Sequence, residues 1–404
     1  MAEINFSVIA DTPDETEILA SFLKIFEEKR GQQVRLQSMK WSEAWPILLA
    51  NALHGSGPAV SHVGSTWSTS LGAMNTLRPF SEKEVAVLGG PDKFFPAVWQ
   101  STSLEGDSTV WSIPWTSYTY LISYRSDRLE RIGLNPGTAF RTPEAMAETL
   151  ARLQSLGMEY PWVIPTETHY ADLIHIASSF VWGAGGDFVS QDRKKILVCQ
   201  PESCSGLVDF FELYRYLPLQ SKGLTYQQCI RLFAEGRVGV FITGAEVPSI
   251  VSKAPDTAPR VRSSIQTAPL PGVPWVGGDN LVIWRHARGD PGQETAALAL
   301  VDFLVDPDVQ LAFCQAQNTL PVRPGVLAQL SFWPETLRQS VETALLNGRS
   351  HRSVPLWRVV EYRIGQGLDA IAAELLNDRA ADIKALVDKH LMPVVHRLEL
   401  TLEQ

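Results

Sequence analysis

The chain has 404 residues, of which 45% are hydrophobic and 20% charged, and a formal net charge of −9. Its length exceeds what one hydrophobic core usually organises, so two lobes are expected. The acidic balance without a Lys/Arg-rich block argues against nucleic acid and against a membrane surface, and no apolar run approaches the roughly 18 to 20 residues that span a bilayer.

Ile4 to Ala10 reads as a short buried strand, and Asp14 to Arg30 as a helix with Ile18, Phe22, Ile25 and Phe26 on one face and Gly31 as its stop. Gln33 to Gln37 is a second strand, followed by a helix from Ser42 through Leu53. A third strand, Ala59 to Val63, leads to a short helix from Ser68 to Met74. Strands alternating with helices argue for a parallel α/β sheet. The pattern changes at Val110 to Tyr124, where two extended runs flank Pro114-Trp115-Thr116-Ser117, a stretch suited to carry the chain between lobes. A second α/β series follows. Thr142 caps a helix that starts at Pro143 and stops at Gly157. Strands are expected at Trp162 to Ile164, Val238 to Thr243, Ile265 to Leu270 and, after Gly277-Gly278, at Leu281 to Trp284. Helices are expected at His169 to Val181, Ser205 to Tyr216, Thr225 to Glu235 and Gln293 to Val305. The last third is helical.

The four cysteines, Cys199, Cys204, Cys229 and Cys314, form no C-x-x-C pair and no zinc-ligand spacing with His. Cys199 and Cys204 are close enough to close a small disulfide loop in an oxidising compartment; buried free thiols are the competing reading. Met1-Ala2 runs straight into the first strand with no signal peptide, as in a cytoplasmic protein or a mature form without its leader.

Several blocks in order carry a resemblance. Pro58-Ala59-Val60-Ser61-His62-Val63-Gly64, Ile113-Pro114-Trp115 with Leu121 to Asp127, Glu235-Gly236-Arg237 through Gly244, and Gly277-Gly278 before a strand are similar to the extracellular solute-binding proteins of ABC importers that include maltose-binding protein. The resemblance implies a two-lobed periplasmic-binding-protein-like α/β fold of the class II type. It implies a ligand cleft between lobes that closes on a sugar and then docks on membrane permease subunits, and a periplasmic or cell-surface location. The expected lobes are 1–113 plus about 264–306, and about 114–263 plus 307–404.

A saccharide offers apolar C–H faces and a rim of hydroxyls, so its site needs flat aromatic platforms and charged or amide hydrogen-bond partners. Trp outnumbers Tyr, 12 to 9, which supplies platforms in excess. Trp41 and Trp67 follow strands, Trp115 lies in the crossover and Trp275 precedes the Gly-Gly strand; ligands of open α/β sheets bind beyond the carboxyl ends of strands. Trp45, Trp99, Trp162, Trp284 and Trp333 read as core. Trp357, after Val354-Pro355-Leu356, resembles the stacking Trp of maltose-type proteins. In Gly244-Ala245-Glu246 a carboxylate replaces the family's aromatic, which favours a ligand smaller and more polar than a long maltodextrin. For the hydroxyl rim the candidates are Asp11, Glu167, His169, Glu246, Gly278 with Asp279, and Arg323. Each has a plainer reading: Asp11 and His169 as helix caps, the glycines as a turn, Arg323 as a surface ion pair.

The chain contains no G-x-S-x-G, P-loop, H-E-x-x-H or G-x-G-x-x-G after the first strand, so no catalytic residue, metal or cofactor is assigned. A pair of glycosidase carboxylates is a property of the fold and stays open. The expectation is a monomeric binding protein for a mono- to trisaccharide, glycoside or polyol. The adjacent tyrosines of ferric iron carriers are not present, since Thr119 separates Tyr118 from Tyr120. A cationic ligand such as a polyamine is the runner-up, with Asp11, Glu167, Glu246 and Asp279 as its acids.

Overall fold

The computed structural model describes residues 3–167, 172–330 and 333–402, and it is a mixed α/β structure. Nine strands occur among these residues: β1 Ile4–Ile9, β2 Val34–Met39, β3 Val60–Gly64, β4 Ile113–Arg125, β5 Tyr160–Val163, β6 Val238–Gly244, β7 Ile265–Pro269, β8 Val276–Ile283 and β9 Leu320–Pro321. The chain divides into two compact units, Met1–Tyr118 with Val276–Phe332 and Ser350–Arg358, and Thr119–Trp275 with Trp333–Arg349 and Val359–Gln404.

In the first unit β2, β1 and β3 run parallel, and β8 closes on β3 antiparallel, with Gly64 opposite Asp279. The helices that return the chain between parallel strands are well signalled. Thr12 caps α1, Pro13–Arg30, by accepting from the Glu15 N–H, with Pro13 at the first turn. Gly31 ends it in the left-handed region at φ 65°, where a side chain would be strained. Helix α2, Trp41–His54, follows β2, and α3, Ser65–Ala73, follows β3 directly. The inner strand β1 is buried at five of six positions, which suits a strand with neighbours on both sides and helices over it.

In the second unit β4 pairs antiparallel with both β6 and β7, and β5 lies parallel on β6. Thr142 caps its helix as the sequence reading requires, and Thr225, read there as the first helical residue, is itself a cap that forms a reciprocal capping box with Gln228.

The structure differs from the sequence reading in four places. The two extended runs around Pro114 are one continuous strand, β4, with Pro114 tolerated as its second residue. Gly277 and Gly278 lie inside β8 rather than before it, because at Gly278, φ 133°, a Cβ would sit 2.2 Å from the Thr116 carbonyl oxygen. Residues expected in the second lobe, 307–332 and 350–358, group with the first unit. There β9 pairs with Thr116 and Ser117, and the Gln310 amide donates to the Trp115 carbonyl at 3.0 Å. Residues 264–275 group with the second unit, where β7 is laid along Leu121–Arg125. Of the two readings left open for Cys199 and Cys204 the structure has free thiols, as at Cys229 and Cys314. Burial pushes the Cys199 thiol up to about 12.

Candidate ligand-binding site

The parallel strands of the first unit end together, and four candidate residues follow from that. Asp11 comes two residues after β1, Trp41 two after β2 and Trp67 three after β3. Asp279 reaches the same edge because β8 runs antiparallel to β3 and places it opposite Gly64. Asp11 is not the helix cap. It accepts the Trp41 N–H at 3.1 Å and so ties the end of β1 to the head of α2, while Thr12 does the capping.

Trp41 is 41% exposed, and its ring meets Trp67 edge-on at 5.3 Å. Trp67 is 8% exposed; Trp45 packs edge-on to it at 5.6 Å, and the Arg358 guanidinium lies over it at 5.5 Å. Both indoles pack close to the strand end, where a Cβ on Gly64 would meet each ring at 3.4 Å, an ordinary contact. Asp279 accepts from the Thr116 hydroxyl at 2.7 Å, and its other oxygen lies 3.1 Å from His62 Nε2. Alternation along β8 sends Asn280 the other way: it is fully buried, its amide nitrogen near the hydroxyls of Ser68, Ser101 and Ser112 at 3.2, 3.0 and 2.9 Å.

Other candidates of this unit lie deeper. Trp115 is 2% exposed, stacked on Phe313 at 4.8 Å with Phe6 and His62 edge-on, so it has no open ring face. Trp357 opens the helix Trp357–Asn377 as expected, yet it too is 2% exposed and stacked on His351 at 4.3 Å. It borders a small polar recess with Ser65, Thr66, Thr69 and Arg352. Arg323 forms neither a surface ion pair nor an exposed contact. It is buried, donates to the Leu88 carbonyl at 2.7 Å and lies 4.2 Å over the Phe94 ring.

The second unit has its own edge where β5 and β6 end and Tyr120 of β4 lies opposite Gly244. Two residues beyond β6, Glu246 accepts from the Tyr226 hydroxyl at 2.8 Å, and Thr243 Oγ1 lies 3.2 Å from the same hydroxyl. Burial pushes the Glu246 carboxyl above the ordinary range; bonds from its own backbone and Tyr226 oppose this, and the Asp172 charge adds to it. The backbone N–H groups of Thr166 and Glu167 both donate to the Leu224 carbonyl, at 2.8 and 3.1 Å, fixing the turn after β5. His169 lies outside the described residues. Trp275, 6% exposed, stacks on His175 at 4.1 Å, and His175 Nε2 lies 3.6 Å from Glu361.

Sequence reasoning named residues at the strand ends but not the neighbours His62, Thr116, Tyr226 and Thr243. His62 carried a readable signal, a polar side chain inside an otherwise buried strand; the others depend on antiparallel register and hydroxyl direction.

Polar and aromatic residues thus gather at the carboxyl ends of the parallel strands in both α/β units, where ligands of open α/β sheets bind. The chain belongs to the bacterial extracellular solute-binding protein family, whose model matches residues 21–338. Solved structures share the fold. The sugar-binding protein MalE from Xanthomonas citri is 21% identical, with a TM-score of 0.82 over 100% of this chain and 98% of that one. Maltose-bound MalE3 of T. maritima is 20% identical, TM-score 0.80, covering 98% and 99%. An ABC transporter solute-binding protein from Thermotoga lettingae bound to α-D-tagatose is 17% identical, TM-score 0.78, covering 100% of both. Comparison with curated proteins gives no match. Among the described residues, no helix is long and apolar enough to cross a membrane.

Proposed function

We propose that this protein is the ligand-capturing component of an ABC importer for a sugar or sugar-like polyol, from monosaccharide to trisaccharide or glycoside. It delivers that ligand to membrane permease subunits, acts as a monomer and catalyses nothing. The observation that carries the reading is the first unit's edge, where a half-open indole, Trp41, lies edge-on to His62, itself 3.1 Å from Asp279, and donates its backbone N–H to Asp11. An indole face accepts the apolar C–H side of a sugar at little rotamer cost, and a carboxylate accepts from its hydroxyls by charge-assisted bonds. Structures of like fold with bound maltose, tagatose and ribitol support the same ligand class.

Glu246 with Tyr226 and Thr243 serves as the second unit's polar contact, with Glu167 in the neighbouring turn. A carboxyl where the related proteins carry an aromatic ring favours a short, polar ligand over a long maltodextrin. The acids also keep a polyamine as second reading, because Asp172 adds to the carboxyl character around Glu246.

A thermal-shift screen with maltose, D-tagatose, ribitol, D-mannitol and spermidine separates the two. A ligand that binds only the native state raises its apparent stability, by about 2.7 kcal/mol at a hundredfold excess over Kd. A sugar or polyol is expected to raise the melting temperature by several degrees. A rise with spermidine alone replaces the sugar reading with the polyamine one.

A further inference from the structure

We propose that a groove between the last two helices is a second ligand site, one that binds a small, doubly charged organic oxyanion of the phosphate monoester type between Arg363 and Arg397. The inference does not rest on the sugar reading, since every residue lining this groove belongs to the second unit.

The helices Trp357–Asn377 and Ile383–Leu402 turn matching stripes toward the groove. On the first, Val359, Arg363, Gln366 and Ala370 recur at i, i+4, i+7 and i+11, which is one face of a helix. On the second, His390, Val394, Arg397 and Thr401 repeat the same spacing. The two helices come closest at Gly367, where a Cβ would sit 2.4 Å from Leu391 Cδ2. The open space beside that contact has a volume of about 330 Å³, which falls within the usual size of small-molecule sites. Val359, Ala370, Val394 and Leu398 give it apolar surface.

The charge of the groove runs against that of the chain. The protein has a net charge of −9, yet no carboxylate is among the lining residues. The acids of the two helices are engaged elsewhere. Glu361 lies 3.6 Å from His175, and the Asp369 charge bears on Tyr214. Asp388 accepts from Lys384 at 2.8 Å, and Glu399 accepts the Ile196 N–H at 3.3 Å. Glu374 meets Lys389 and His390, each at 2.6 Å, so the histidine of the groove is already matched. Arg363 and Arg397 are both exposed, and among the described residues neither forms an ion pair. Arg363 Nη1 donates to the Gln366 amide oxygen at 3.4 Å, and its guanidinium lies 5.9 Å from the Tyr362 ring. Two like charges lining one groove from opposite walls repel, and a dianion between them offsets both. The planar guanidinium fork matches the oxygens of a phosphate, while the apolar surface takes the organic part of the ligand.

Ligand-observed NMR titrations of the whole protein with phenyl phosphate, inorganic phosphate and phenol test the idea at about pH 7.5, where a phosphate monoester is largely dianionic. Phenyl phosphate is expected to saturate one site and to bind at least about threefold more tightly than either half of it alone, because only it meets both the arginines and the apolar surface. Arg363→Gln and Arg397→Gln are each expected to weaken it about tenfold with the melting temperature nearly unchanged, both side chains being exposed. Two controls are expected to stay within about twofold. Arg288→Gln makes the same change of net charge at an exposed arginine of the first unit, and Trp41→Ala removes the indole of the sugar edge. Inorganic phosphate binding as tightly as phenyl phosphate, or Arg288→Gln losing as much as the groove variants, would mean an adventitious ion only and overturn the proposal. A loss confined to Trp41→Ala would put the anion at the sugar edge and overturn it as well, and so would the absence of binding by phenyl phosphate. None of these outcomes decides sugar capture, which the thermal-shift screen tests separately.

Discussion

The two strand-end edges are built from the same fold logic yet present different chemistry. In the first unit the edge is walled by indoles, one of which, Trp41, is 41% exposed, and its carboxylate accepts from the Thr116 hydroxyl with His62 3.1 Å away. In the second unit the rings are covered, Trp275 at 6% and Tyr120 at 2%, and the groups on offer are a phenol, a hydroxyl and a half-buried carboxyl. Position beyond a parallel strand makes a residue available. What packs behind it decides whether it serves as a platform, an acceptor or core.

The sharpest break of this contrast uses one residue type in two settings. Trp115→Ala and Trp357→Ala remove rings stacked on Phe313 and His351, so each is expected to cost about 3–5 kcal/mol of stability, read by urea unfolding. Trp41→Ala removes a half-exposed ring. It is expected to leave the melting point nearly unchanged and to weaken sugar binding by about 1–1.5 kcal/mol, roughly tenfold, in titration calorimetry. Lost affinity with unchanged melting in Trp357→Ala would make that ring the platform instead.

A smaller effect concerns the carboxyls. Glu246 has its folded-state pKa raised by burial, so its native protonated form adds stability that is present below the ordinary carboxyl range. That contribution is lost as pH rises through the raised value. Carboxylates such as Glu84, held below the ordinary range beside Arg78, work the other way, so the difference between variants is the informative quantity. Glu246→Gln is expected to gain on wild type as pH rises from about 4 to 7, measured by melting. A constant difference over that range would mean the carboxyl does not titrate against its surroundings.

Much of this was legible in the sequence. The α/β alternation, the cap at Thr142 and the stop at Gly31 are local signals, and the residues just beyond strands could be named from them. The surroundings of Asp279 were not legible, because they need β8 antiparallel to β3 and the hydroxyl of Thr116 from a third strand. Trp41 and Trp115 were equivalent as letters, and only packing distinguishes them: Phe313, nearly two hundred residues onward, covers one and nothing comparable covers the other. Gly277-Gly278 misled for a related reason. The glycines read as a turn, while close approach of the Thr116 carbonyl is what requires the second of them.

Titration calorimetry of wild-type protein at about 50 and 500 mM NaCl tests the central claim most directly, since exposed charge interactions are screened over that range. With the best of maltose, D-tagatose, ribitol and D-mannitol, the expected outcome is saturable one-site binding whose Kd changes less than about twofold between the two salts. No heat from any of the four, with spermidine binding that weakens more than about tenfold at high salt, would contradict sugar capture and place a cation at these acids.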